Sequence, residues 1–346
     1  MLMKAPERDA ITGESRVLNA ADPIWEGPLF VIGMPRSGTK LLRGLLSQHP
    51  NIRIAGAETE FLPFLDRWVA EHGTPETSEK FAAMFGAMRD AAYFHFRKAT
   101  EPFECERWHA ECEGNFDVAG LFEGFMRYEL GISRGTGVVW GDKSPGYVRC
   151  VPLLLQKFPH AKIVHLVRDV RDYCVSIRKA WNKDIRRAAI RWGQDVHAAH
   201  VACAAQPQQC IEIRYEALLQ DPRGEMLRIC NFLGLSYCKT LDDLSQSVEN
   251  YGDAKGQATI VRGNFNKFEQ RLTAHEIEQI EALAWGTLVE MGYAPTRAKG
   301  PRQLTAYMQR WLRVKDGMHL ILSDIPRHGL VRAFRLHTAH QHMTAH

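Results

Sequence analysis

Residues 33–40 read GMPRSGTK and follow directly on the apolar run PLFVI. An apolar run of this kind closed by glycine predicts a buried strand over 29–33. The next stretch, TKLLRGLLSQHP, predicts a helix with Leu41, Leu42, Leu45 and Leu46 as its apolar stripe and Pro50 at its end. A Gly-rich turn between a strand and a helix N-terminus exposes backbone N–H groups and adds the positive end of the helix dipole, so it holds an anion. Gly33 and Gly38 permit the turn and a close approach. Arg36 can fork onto two oxygens of a phosphate or sulfate, and Ser37, Thr39 and Lys40 add hydroxyls and an ammonium. The two glycines have the spacing of G-x-x-x-x-G-K-[ST]. However, Thr39-Lys40 stands where Lys-Ser/Thr would, and an arginine sits inside the loop.

The rest of the chain sets this loop in a repeating pattern. AKIVHLV (161–167) reads as a second buried strand, followed by Val170, Cys174, Ile177 and Trp181 at helical spacing. CIEIRY (210–215) reads as a third strand and leads into the helical stretch 216–235. Residues 60–135 read as mainly helical, and 273–293 as a late helix capped by Thr273. Strands separated by long helices predict an α/β fold of three layers, a mainly parallel sheet with helices on both faces.

At 346 residues, 45% apolar and 24% charged, the chain has ordinary globular composition and length for a large core. The expected layout is a polar arm over 1–26, one α/β domain over 27–297 and a basic extension over 298–346. No apolar run reaches 18 residues, and residues 1–26 contain no apolar leader core, so a cytoplasmic location is expected. The eight cysteines form no C-x-x-C pair and are expected to be reduced, Cys105 and Cys112 pairing only in an oxidising compartment. No His/Cys/Asp cluster has metal-ligand spacing, so no metal is expected. From Arg297 onward nine Lys/Arg face two Asp/Glu, a net of +7, whereas the remainder carries 35 basic and 38 acidic residues. A body without basic excess argues against nucleic acid as partner.

MPRSGTKLLRGLLSQHP resembles the 5′-phosphosulfate loop of sulfotransferases that use 3′-phosphoadenosine 5′-phosphosulfate (PAPS), and within them the tyrosylprotein-sulfotransferase and bacterial branch. Four further segments resemble that branch in the same order. VHLVRDVRDYCVSI (164–177) resembles its 3′-phosphate segment, with Arg168 closing the strand and Ser176 eight residues on. WGDKSPGYV (140–148) places Lys143 at the branch lysine, which implies a bridge between donor sulfate and leaving phosphate. IRYEALLQDP (213–222) puts Tyr215 near the nucleotide. VRGNFNKFEQRLT (261–273) resembles the late loop over the 3′-phosphate and offers Arg262, the Gly263 backbone and Lys267. Asn266 stands there where the tyrosine-sulfating enzymes have a serine.

The resemblance implies PAPS as co-substrate, 3′,5′-ADP as product and a hydroxyl acceptor, whether glycan, lipid, tyrosine or small molecule. Arg36 and Lys143 would meet the charge that grows on the leaving phosphate. Glu58, followed by Thr59, matches the branch's acid-Thr pair and becomes the general base. One extra residue between the loop and this pair leaves Glu60 as the alternative. His165, inside IVHLV, reads as a core residue, and His109 has no motif around it. Acceptor identity and oligomeric state stay open at this stage.

Two other readings compete. A divergent P-loop kinase would take IVHLVRD as the strand bearing a metal aspartate, Asp169. A non-catalytic module would use the tail, where QLTAYMQRWLRV (303–314) puts Leu304, Tyr307, Met308, Trp311 and Leu312 on one helical face beside Arg310 and Arg313. That helix either docks on the body or makes peripheral contact with an anionic membrane.

Overall fold

Successive side chains of a strand point to opposite faces, and the central strands fill both faces with apolar groups. Leu29 and Val31 belong to one core with Val164, Leu166 and Ile213. Phe30 and Ile32 belong to the other, with Ile163 and Val167. A computed structural model describes residues 25–89, 91, 93–94, 97, 102–248, 254–328, 338 and 343–344. Its sheet contains β1 (Leu29–Gly33), β2 (Ile52–Ile54), β3 (Val139–Lys143), β4 (Lys162–Val167) and β5 (Cys210–Arg214). The spatial order is β2-β3-β1-β4-β5, and every pairing is parallel.

One face of the sheet is covered by the helix Thr39–Leu46, whose Leu41, Leu42, Leu45 and Leu46 are all buried, and by the helix Pro222–Leu233. Against the other face lie the helices Leu62–His72, Val118–Leu130, Val170–Trp181 and Ile185–Ala204. Aromatic side chains cement this side: Phe30 meets Phe122, Tyr147 and Phe158 within 6.2 Å between ring centroids. The α/β class and the two-sided cover of a parallel sheet therefore hold as expected.

Several local expectations change. The helix after the loop ends at Leu46, ahead of Pro50. The stretch 216–235 forms two helices, Tyr215–Gln220 and Pro222–Leu233, because Asp221 caps a new start at Pro222. The late helix has the expected Thr273 cap, completed by Glu276 as a capping box, but breaks at Ala284 into Ala274–Leu283 and Trp285–Glu290. Strands β2 and β3 were not foreseen. Cys105 and Cys112 stand at the two ends of the helix Cys105–Glu111 and are both free. One helix length, ~10 Å, is too far for a disulfide.

The chain returns to the body at its C-terminal side. Arg302 N–H donates to Ala282 O at 2.8 Å, and the helix Ala306–His328 packs on Ile185–Ala204. Residues 1–24 of the expected N-terminal arm and the basic stretch 329–337 lie outside the described residues.

Candidate anion-binding and transfer site

The loop, Lys143, Arg168 and Tyr215 all lie at the C-terminal ends of strands. In an open parallel sheet this is where the chain diverges to either side and leaves a crevice. Loop 33–38 leaves β1 between β3 and β4. At its start Gly33 has φ 152°, and a Cβ there would lie 2.4 Å from Leu166 O on β4. At its end Gly38 has φ 96°, and a Cβ would lie 2.4 Å from the Tyr215 ring. Both positions therefore require glycine. Arg36 adopts φ 72° without being glycine. A non-glycine residue in this region costs about 1 kcal/mol or more, so the surrounding contacts must hold it.

Those contacts come from the next strand. Arg168, just past β4, donates from Nη1 to Arg36 O at 3.1 Å and from Nη2 to Asn264 O at 3.3 Å. Its guanidinium lies over the Tyr215 ring at 4.6 Å. Arg36 Nε in turn donates to Ser176 Oγ at 3.4 Å. The loop arginine and Ser176, 140 residues apart in sequence, are thus neighbours. Ser37 Oγ and Arg168 Nε are buried and have no hydrogen-bond partner. A buried unpaired donor is costly, and two of them beside a helix N-terminus fit an anion. Thr39 is buried and Lys40 half-buried at the first helical turn.

The late loop closes on the same cluster. Asn264 Nδ2 donates to Tyr215 OH at 2.8 Å, and Lys267 Nζ donates to Asn264 Oδ1. Phe268 N–H donates to Asp172 Oδ1 at 2.9 Å, and Asp172 Oδ2 lies 3.7 Å from Arg168 Nη2. Asn264, which the sequence reading did not single out, is the hub here, and Asn266 (φ 57°), exposed at the turn, donates its backbone N–H to Asp172. Arg262 and Gly263, just before Asn264, are also exposed. Behind the cluster, Trp192 Nε1 donates to Arg168 O at 3.0 Å. Asp169 caps the helix Val170–Trp181, and its carboxylate is gripped by Arg171 at 2.6–3.2 Å. A metal aspartate, as the kinase reading needs, would have to surrender that arginine.

On the other side of β1, Lys143 is the last residue of β3, in register with Val31 and 1% exposed. The sequence context suggests a solvated turn, but the lysine ends a buried strand. Its ammonium donates to Glu58 Oε1, and the Glu58 side chain is 39% exposed. The neighbouring Thr59 is buried in a polar knot. Its Oγ1 donates to Asp142 Oδ2 at 3.1 Å and shares hydrogen bonds with Ser144 Oγ and Tyr147 OH at 3.3 and 2.9 Å. This knot holds the segment in which Glu58 pairs with Lys143. His165 is fully buried, with Nδ1 2.8 Å from Glu212 Oε1, and His109 pairs with Glu76 O at 3.0 Å.

Glu60 turns inward with φ 51° and accepts from Gly146 N–H at 3.3 Å. The residue as a whole is half-buried, but its carboxyl is enclosed. Burial first, then the charge of Glu58, pushes that carboxyl up to about 7. A carboxyl raised in the folded state favours folding at low pH, and that contribution is lost as pH rises from about 4.5 to about 7. Glu60→Gln is therefore expected to leave the melting temperature nearly unchanged at pH 5 and raise it at pH 8. The gain at pH 8 should be at most about 3 kcal/mol. Thermal unfolding of both proteins at the two pH values checks this, and an equal shift at both would show that Glu60 does not titrate there.

Sheet order, loop and cations define an α/β protein with an anion cradle at the carboxyl ends of its strands. The sulfotransferase-family model matches residues 28–239, more than half of the chain, and the chain belongs to that family. A putative protein-tyrosine sulfotransferase of Caenorhabditis briggsae is 27% identical over 254 residues, covering 70% of this chain and 79% of that protein. Protein-tyrosine sulfotransferase 1 of Danio rerio is 23% identical over 60% of this chain, which spans about half of that relative's length, 53%. Among solved structures, the sulfotransferase domain from the curacin biosynthetic pathway superposes with a TM-score of 0.53. It is 17% identical and covers 79% of this chain and 99% of that domain. Sulfuryl transfer is the chemistry that this family and fold support.

Proposed function

We propose that the protein transfers a sulfuryl group from PAPS to a hydroxyl acceptor by in-line displacement. The observation that carries this reading is the pair of buried, unpartnered donors, Ser37 Oγ and Arg168 Nε, set around a loop that already holds Arg36 and Ser176 together. Loop N–H groups, Ser37, Thr39 and Lys40 would hold the 5′-phosphosulfate, and Arg168 and Ser176 the 3′-phosphate. Tyr215, with Asn264 behind it, flanks the nucleotide.

In the transfer step the acceptor oxygen attacks sulfur, its proton passes to the Glu58 carboxylate, and the S–O bond to the 5′-phosphate breaks. The electron pair leaves on that phosphate oxygen, where Lys143 and Arg36 oppose the new charge. Positioning supplies most of the catalysis, since no covalent intermediate with the protein is needed. A protein tyrosine is the first acceptor to try, because the relatives above are protein-tyrosine sulfotransferases. Sugar, lipid and small-molecule hydroxyls make the same demand on Glu58 and the cations.

Calorimetric titration in EDTA tests the donor. 3′,5′-ADP is expected to bind about 100-fold or more tightly than 5′-AMP, because two charge-assisted hydrogen bonds to the 3′-phosphate contribute ~3 kcal/mol or more. Metal-dependent ATP binding with no response to 3′,5′-ADP would sink the proposal in favour of a kinase.

A further inference from the structure

The helix Ala306–His328 has two apolar faces, and the body uses one of them. Leu312 is 0% exposed against the helix Ile185–Ala204. Asp316, 2% exposed, accepts from Asp184 N–H at 3.0 Å and pairs with Arg187 at 2.9 Å. On the far side Tyr307 is 79% exposed, Trp311 48%, Val314 54% and Met318 56%. At ~100° per residue, these four fall within an arc of roughly 60°, nearly opposite Leu312 and Asp316. The single apolar face that the sequence suggests is thus divided, Leu312 going inward and Tyr307 and Trp311 outward. Half of the exposed large apolar side chains among the described residues sit in this one stripe.

The flanks of the stripe are cationic. Arg310 and Arg313 are exposed along one edge, and Lys315 lies over the Trp311 ring at 5.5 Å on the other. The one carboxylate within 306–318, Asp316, is turned inward, so the outer face carries no acid. A second copy of the chain is a poor occupant, because pairing two such helices would set a tail of net +7 against its own like. The stripe is also only ~18 Å long, too small for the ~800 Å² per partner of a stable protein interface. An anionic lipid surface suits both features. It accepts an apolar ridge without shape matching, favours Trp and Tyr at the headgroup level, and attracts each nearby Lys or Arg by about 1 kcal/mol.

We propose that Tyr307, Trp311, Val314 and Met318 seat this helix in the interface of an anionic membrane, with Arg310 and Arg313 on the headgroups. Among the described residues no helix is long and apolar enough to cross a bilayer, so the contact is peripheral. The sulfotransferase body would then work beside the lipid surface, whichever hydroxyl it modifies.

Flotation of the full chain with vesicles tests this. Binding is expected with phosphatidylcholine–phosphatidylserine vesicles, to fall with added salt, and to be absent with phosphatidylcholine alone. A Trp311→Ser/Met318→Ser variant is expected to lose at least about tenfold in vesicle partition. An Arg310→Glu/Arg313→Glu variant should lose a comparable amount while the salt dependence disappears. All four side chains are exposed, so 3′,5′-ADP affinity, read in parallel, should not move. Failure of the unmodified protein to float with anionic vesicles would overturn the proposal. So would full binding by the Trp311→Ser/Met318→Ser variant, or a dimer in sedimentation that this variant dissolves.

Discussion

Lys143→Ala is expected to lower turnover about 100- to 1,000-fold, the usual effect of removing one preorganised donor from a developing negative charge. The affinity for 3′,5′-ADP should change by less than about tenfold, because on the proposed reading Arg168 and the loop would still hold the nucleotide. The structure argues that this loss would be catalytic. Lys143 is 1% exposed at the end of β3, but its partner Glu58 is 39% exposed and can rehydrate when the ammonium is gone. The ammonium also offsets the buried carboxyls of Asp142 and Glu60, so thermal unfolding of the variant is measured beside the rate to separate lost chemistry from lost fold. Initial rates of 3′,5′-ADP release from PAPS, with an accepted hydroxyl compound present, measure the effect. Unchanged turnover would remove Lys143 from the transition state and leave it as a structural partner of Glu58.

Arg168→Ala is expected to erase the preference for 3′,5′-ADP over 5′-AMP. Removing one member of a buried, hydrogen-bonded charge pair costs 2–5 kcal/mol in comparable interfaces, about 30-fold to several thousand-fold in affinity. Arg168 has structural duties as well, since it binds the carbonyls of Arg36 and Asn264 and covers Tyr215. 5′-AMP separates the two roles. A collapsed loop would weaken both nucleotides alike, whereas loss of the 3′-phosphate partner weakens 3′,5′-ADP and leaves 5′-AMP nearly untouched. Calorimetry with the two ligands on one variant preparation distinguishes these outcomes.

The parts of the site that could be read from sequence are those in which chemistry and chain order coincide. Loop 33–40 is contiguous, and Arg168 and Ser176 sit at a strand end and two helical turns beyond it, where the resemblance to the family's segment pairs them. Strands β2 and β3 escaped for opposite reasons. Ile52–Ile54 is too short to show a period, and Val139–Lys143 buries glycine, aspartate and lysine, residues that sequence rules assign to turns. Asn264 left no mark because its role depends on a tyrosine 49 residues away. The pairing of Glu58 with Lys143 was likewise hidden. The segment is held by Thr59, whose knot with Asp142, Ser144 and Tyr147 spans more than 80 residues of chain.

The backbone of loop 33–38 has a thermodynamic consequence. Gly33 is wedged under Leu166 O, Gly38 lies against the Tyr215 ring, and the left-handed Arg36 is tied by its carbonyl to Arg168. The conformational entropy lost in shaping the cradle is therefore charged to the folding of the sheet and not to the arrival of a ligand. On the proposed reading, nucleotide association would then resemble filling a preformed mould, with desolvation and charge setting most of its free energy.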